Sequence, residues 1–128
     1  MNTYNYSHYL SPPGLLVYIQ VSSLESDGVG IETVPALIDT GADQTVLPSD
    51  LVDKLGLVAG DQVLIAGVSG AAEMAPTYFV DIALEHMQPM SMIVAAFGSK
   101  EYCYLGRDFL NRYRIVLDGP KLKFTIEE

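Results

Sequence analysis

A mainly β domain with one or two short helices is the fold the sequence predicts, and three observations predict it. Short alternating or wholly apolar segments recur from Leu15 to Ile126, punctuated by turns rich in Gly, Pro, Asp and Ser. Helix-start signals are confined to the stretches after Pro48 and Gly106. The 128 residues are 49% hydrophobic, enough for one hydrophobic core, and no repeat or linker divides residues 14–128. A closed barrel or a sandwich satisfies such a pattern.

Residues 1–13 carry Tyr4, Tyr6, His8 and Tyr9 without periodicity and end at Pro12-Pro13, so they read as a flexible N-terminal tail ahead of a single domain, 14–128. Leu15 to Val21 alternates, with Val17, Ile19 and Val21 on one face and Leu16, Tyr18 and Gln20 on the other, which predicts a strand. Ser26-Asp27-Gly28 is turn chemistry, and Val29 to Ile38 resumes the extended pattern as the second arm of a hairpin that delivers Asp39. Thr45-Val46-Leu47 is a short strand. Ser49 is the expected N-cap of a helix from Asp50 to Leu55, with Gly56 just beyond its end.

Asp61 to Ala66 and Tyr78 to Leu84 read as strands around the small-residue segment Gly67-Val68-Ser69-Gly70-Ala71-Ala72, a hairpin with a glycine-rich tip. Met90 to Phe97 and Glu101 to Leu105 add two strands. Arg107 to Tyr113 reads as a short helix with Asp108 in its first turn, where the helix dipole favours an anion. Arg114 to Leu117 and Leu122 to Ile126 are the last strands, about the turn Asp118-Gly119-Pro120.

Composition excludes several functions. A net charge of −9 repels nucleic-acid phosphates. Apolar runs fall well short of the roughly 18 residues that span a bilayer, and no basic segment leads into an apolar one at the N-terminus, so the expectation is a cytoplasmic protein with no membrane association. Cys103 is the only cysteine, which rules out an intrachain disulfide, and His8, His86 and Cys103 lack metal-ligand spacing. Neither a metal nor a cofactor is expected. No phosphate-cradling Gly-Lys-Ser/Thr loop is present, and the nucleophile-elbow pattern at Gly67-Val68-Ser69-Gly70-Ala71 fails at its fifth position. Basic residues are absent before Lys54 and crowd the chain from Lys100 onward, so an acidic first half is expected to fold against a more basic last third.

The most informative stretch is Ala36-Leu37-Ile38-Asp39-Thr40-Gly41-Ala42-Asp43-Gln44-Thr45, an apolar strand running into a lone carboxylate and a Thr-Gly turn. Apolar neighbours such as Leu37 and Ile38 should desolvate that carboxylate, and a glycine after the threonine suits backbone angles that a Cβ resists. A carboxylate so placed is a candidate site. The second stretch is Tyr104-Leu105-Gly106-Arg107-Asp108, an apolar-apolar-Gly segment opening a helix.

With the glycine-rich segment between them, these two stretches resemble the retropepsins, the retroviral-type aspartic proteases, over roughly Leu15 to Ile126. The chain looks like a small free-standing cellular or bacterial member. The resemblance implies a closed, barrel-like retropepsin (acid protease) fold that is active as a homodimer on peptide or protein substrates. It implies that Asp39 is the catalytic acid, that the Thr40 hydroxyl braces the turn, and that Gly41 offers its carbonyl to a bound peptide. Gly67, Val68, Ser69 and Gly70 would form a flap over the substrate, with Ile65 behind them. Asp43 and Arg107 match positions that form an ion pair locking the turn to the C-terminal helix. The terminal strands would interleave between subunits, with Leu122 to Ile126 a candidate. Leu37, Val46, Ile65, Val68 and Ile93 are candidate pocket residues. Gln44 and the Val68-Ser69 flap tip depart from the viral pattern and bear on substrate preference.

Peptide hydrolysis by this route needs two facing carboxylates that share a proton. The chain has one Asp-Thr-Gly, so two copies must each contribute Asp39. Two-lobed relatives commonly carry Ser or Thr where this chain has Ala42. Without that hydroxyl to stabilise the charged form, activity is expected nearer mildly acidic or neutral pH. The alternative function is a dimeric peptide-binding or assembly module of the same fold without turnover.

Overall fold

The computed structural model describes residues 2–24, 30–66, 70–98 and 101–128. In chain order its elements are β1 (Asn2–Asn5), β2 (Leu16–Ser23), β3 (Ile31–Ile38), β4 (Val46–Leu47), α1 (Ser49–Lys54), β5 (Gln62–Ala66) and β6 (Ala72–Leu84). They continue with β7 (Met90–Ala96), β8 (Cys103–Leu105), α2 (Arg107–Leu110), β9 (Arg114–Asp118) and β10 (Lys123–Glu127).

The predicted class holds. Strands β2, β3, β8, β4, β7 and β6 are hydrogen-bonded in that order, and β6 returns to β2 to close a barrel. Closure leaves these strands no free edge among themselves. The alternation of β2 sends Val17, Ile19 and Val21 inward, where they meet Val80, Ile82, Val94, Leu105 and Phe109, while Tyr18 and Gln20 face out. β3 is antiparallel to β2, with Leu37 opposite Leu16, and parallel to β8, with Ile38 opposite Leu105. That parallel contact sets the residue after Ile38 beside the residue after Leu105. Cys103 is fully buried in the core, and burial pushes its thiol up to about 12.

β6 is longer than the strand predicted from Tyr78 to Leu84. Its first half pairs with β5 outside the barrel, Gln62 opposite Pro76 and Ala66 opposite Ala72, and its second half joins β2 and β7. Ala72-Glu73-Met74-Ala75-Pro76 has no β-branched residue and contains a proline, so local propensity gives no strand signal there; pairing with β5 supplies it.

Residues at the N-terminus depart from the expected tail. Asn2–Asn5 pairs with β10, which also pairs with β9, making a three-stranded sheet in the order β1-β10-β9. Tyr4 stacks on Phe124 with ring centroids 5.0 Å apart and Tyr6 tilts against it at 6.0 Å, so aromatic packing on a buried ring holds a strand whose own sequence is polar. β10 is therefore the middle strand of its sheet and offers no open edge to another chain.

α1 has the predicted length but begins one residue earlier, at Ser49, and α2 is shorter than the sequence predicts. Pro48, not Ser49, occupies the N-cap of α1, without a side-chain cap bond, and Gly56 follows the helix with φ +62°, the left-handed conformation that glycine adopts at low cost. α2 stops at Leu110, and Asn111 to Tyr113 turn into β9. Among the described residues no helix is long and apolar enough to cross a membrane.

Candidate active site

β3 and β8 run side by side into the two informative stretches, so backbone bonds hold Asp39 at the end of the barrel. Its N–H donates to the Leu105 carbonyl at 3.0 Å, and the Ala42 N–H donates to the Asp39 carbonyl at 3.1 Å, closing the turn. The Gly41 N–H donates to Asp39 Oδ1 at 3.1 Å and fixes the carboxylate's orientation. Gly41 is not among the residues with positive φ. Its missing side chain matters for another reason: a Cβ there would lie 3.3 Å from Asp39 Oδ1, crowding the carboxylate that the amide holds.

The turn is open. Asp39 is half-buried, Thr40 and Gly41 are exposed, and Leu37 and Ile38 are themselves only half-buried, so the full desolvation expected from those neighbours is absent in the single chain. Thr40 contributes through its backbone, its carbonyl accepting from Arg107 Nη1 at 2.8 Å.

Arg107 bonds Asp43 Oδ1 through Nη2, so the expected ion pair forms. It is not buried: the Asp43 side chain is 89% exposed and that of Arg107 43%. Water screens such a pair to about 0–1 kcal/mol. Asp43→Asn should therefore lower stability by less than about 1 kcal/mol. Arg107→Ala should lower it by more, because the Thr40 carbonyl then loses its charge-assisted donor as well. Urea unfolding of the two variants measures the difference.

A second network ties the same two stretches together, and sequence reasoning missed it. Thr45 is fully buried; its N–H donates to both carboxylate oxygens of Asp108 at 3.0 Å, and its hydroxyl donates to Oδ1 at 2.8 Å while accepting from the Gly106 N–H at 3.1 Å. The Arg107 N–H donates to the Ala42 carbonyl at 2.9 Å. Gly106 lies against the Gln44 backbone so closely that a Cβ would sit 2.6 Å from its carbonyl carbon. Asp108, expected in the first turn of the helix for its dipole, is also the acceptor for Thr45, the residue just ahead of β4. The turn at Asp39 and the start of α2 are thus one hydrogen-bonded unit.

Other expected site residues are dispersed. Ile65 is half-buried on β5 opposite Glu73, Leu37 and Val46 are half-buried, and Gly70 is exposed with φ +77°. Gly67, Val68 and Ser69 lie outside the described residues. Ile93 is exposed on β7 and, with Val58, Val63 and Phe79, lines a depression of about 470 Å3 whose walls include no residue of the Asp39 turn. That depression is on the barrel flank, not at the carboxylate.

No curated protein matches the chain. Among solved structures, it resembles the EIAV protease complexed with the inhibitor HBY-793, at 20% identity and a TM-score of 0.60, over 77% of this chain and 86% of that one. It also resembles a retropepsin-like aspartic protease from Rickettsia conorii, at 14% identity and a TM-score of 0.63, over 96% of this chain and 86% of that one. These likenesses agree on the retropepsin fold. The family model described as aspartyl protease matches residues 23–109, a span that runs from the end of β2 through the Asp39 turn to Phe109 in α2. The chain belongs to the aspartyl protease family and has the retropepsin-like fold.

Proposed function

We propose that this protein is an aspartic endopeptidase that acts as a homodimer, with Asp39 of each subunit facing the other across a two-fold axis. The observation that carries this reading is the rigid placing of a single, half-exposed carboxylate. Asp39 is fixed by Leu105, Gly41 and Ala42, is braced by Arg107 through Thr40, and stands on an open surface. One carboxylate cannot be both base and acid in the same step. In the dimer, the ionised member of the pair takes a proton from water as that water attacks the scissile carbonyl, and the protonated member donates to the carbonyl oxygen. The second subunit also removes water from the turn, which strengthens the interaction between the two acids.

The substrate is an extended peptide segment. The exposed Gly41 backbone and the β5–β6 hairpin can hydrogen-bond to main chain whatever the peptide's sequence, as added strands do. Ile65 and Gly70 belong to that flap, with Ile65 facing the bound peptide. Ala42 contributes only backbone bonds and no hydroxyl to the carboxylate, so the activity profile lies nearer neutral than strongly acidic pH.

Incubation of the purified protein with a mixed peptide library across pH, with and without an aspartic-protease inhibitor, tests the proposal. Internal cleavage that the inhibitor suppresses is the expected result. A folded dimer that cuts no peptide at any pH contradicts it.

A further inference from the structure

We propose that the depression on the barrel flank is a second peptide-binding site, apart from the Asp39 turn, and that it takes an extended segment of the pattern basic-x-apolar-x-basic from a partner protein. The site goes beyond the protease reading and does not depend on turnover at Asp39.

One wall is a cross-strand pair that the barrel leaves uncovered. Phe79 on β6 lies opposite Ile93 on β7, 56% and 58% exposed, while the next residues Val80 and Val94 are fully buried. The loop between α1 and β5 makes the other wall, and it is fastened to β6. The Gly60 N–H donates to the Thr77 carbonyl at 2.7 Å, and the Thr77 N–H and hydroxyl both donate to the Asp61 carbonyl, at 3.0 and 2.5 Å. Val58, on that loop, is 81% exposed. A smaller depression of about 120 Å3, lined in part by Leu24 and Leu57, shares Val58 and Phe79 with the larger one of about 470 Å3, so the two form one groove. Apolar surface bordered by polar groups in this way marks a binding site, and clefts of about 300–1,000 Å3 hold small ligands.

Charge identifies the occupant. Asp61 is anchored beside Thr77, two residues before Phe79, and Asp81 lies two residues after Phe79 on the same outer face. Carboxylates therefore stand on both sides of the apolar strip. Residues 56–98 include Asp61, Glu73, Asp81 and Glu85 but no Lys or Arg, so no nearby base in the sequence answers them. Lys54, the nearest, is bonded to Glu32 at 3.2 Å. Asp81 accepts the Ser91 hydroxyl through Oδ1 and keeps Oδ2 for a ligand. A cationic segment is the complement of such a surface.

Spacing sets the ligand's conformation. From Thr77 to Asp81 the strand advances four residues, about 13 Å. An extended peptide covers that distance from residue i to i+4 and sets residue i+2 on the same face, over Phe79, whereas a helix advances only about 6 Å in four residues. The groove seats the side chains of a short segment. It is small for a second copy of the chain, since a stable subunit contact takes about 800 Å2 from each partner. Thr77 adjoins the part of β6 that pairs with β5, so a segment seated here bears on the root of the β5–β6 hairpin.

Amide NMR spectra of isotope-labelled Asp39→Asn protein, used so that no peptide is cut, test the site with the capped peptide Gly-Lys-Thr-Phe-Thr-Lys-Gly. The amides of Asp61, Thr77, Phe79 and Ile93 should shift on titration. Replacing both lysines of the peptide by Glu should weaken binding at least about tenfold, and replacing its Phe by Ala should weaken it about tenfold. Asp61→Lys, whose side chain is exposed and whose carbonyl still accepts from Thr77, should reverse the preference and favour the Glu peptide. Ile93→Ser should weaken binding of the Lys peptide, while Tyr18→Ser, an exposed site elsewhere on the outer face of β2, should not. No flank shifts, shifts confined to the Asp39 turn, or equal binding of the Lys and Glu peptides overturns the site. Flank shifts that grow with protein concentration in the absence of peptide also overturn it, because a second copy is then the occupant. Peptide cleavage by the wild-type protein is read separately, so loss of the flank site leaves the protease standing.

Discussion

Asp39→Asn will abolish peptide hydrolysis while leaving the fold and the dimer in place. The asparagine oxygen occupies the position of Oδ1, so the Gly41 N–H keeps its acceptor, and the backbone bonds from Asp39 to Leu105 and from Ala42 to Asp39 do not involve the side chain. Asp39 is half-buried with no ion pair among the described residues, so removing its charge should change stability by less than about 1 kcal/mol. Chemistry is different. An amide can neither accept water's proton nor share a proton with its twin, and by symmetry the substitution removes both members of the pair. General base and general acid together account for a loss of at least about 10^4-fold in kcat/KM. A cleaved peptide followed by chromatography gives the rate, and thermal unfolding confirms the fold. Cleavage that persists would take the catalytic role away from Asp39.

Gly106→Ala will produce the largest loss of stability of any single methyl addition near the site. Its backbone, φ −89° and ψ −178°, suits alanine, so the effect is one of space alone. A Cβ would lie 2.6, 2.8 and 2.9 Å from the carbonyl carbon, oxygen and nitrogen of Gln44, backbone atoms that cannot swing aside as a side chain would. Relief requires moving Gln44, whose neighbour Thr45 is bonded to both Asp108 and Gly106, or moving the start of α2. Either motion breaks the unit that joins β4 to α2. Overpacking of this kind costs about 1–3 kcal/mol, and the broken bonds of the buried Thr45 add about 1–3 kcal/mol more. Urea unfolding should show the drop, and Arg107 should lose its bond to Thr40 as α2 shifts. An alanine variant as stable as wild type would mean that the contact between the two stretches is looser than described.

The readability of this chain follows from how local each signal is. β2 and β3 announce themselves because alternation and turn residues are written within a few positions, and Asp39 stands out because an apolar strand ends on it. Gly106 and Arg107 were legible through the resemblance, and the ion pair with Asp43 formed, although water surrounds it. Features that depend on a distant partner were not legible. β1 is a strand only because Tyr4 finds Phe124, and the first half of β6 is one only because β5 lies beside it. The bond from Thr45 to Asp108 spans 63 positions of sequence, and neither residue type at its own position announces the other. Ser49 carried a capping signal that Pro48 displaced, a reminder that a helix end is set by where the preceding strand delivers the chain.

In the proposed dimer two copies of one acid make one site, and mixing active and inactive subunits puts that pairing to the sharpest test. Wild type and Asp39→Asn chains, allowed to exchange at a fixed total concentration, should cleave at a rate that falls with the square of the wild-type fraction, because only dimers with two Asp39 carboxylates work. A rate that falls in simple proportion to that fraction would mean that each chain works alone, and would contradict the account.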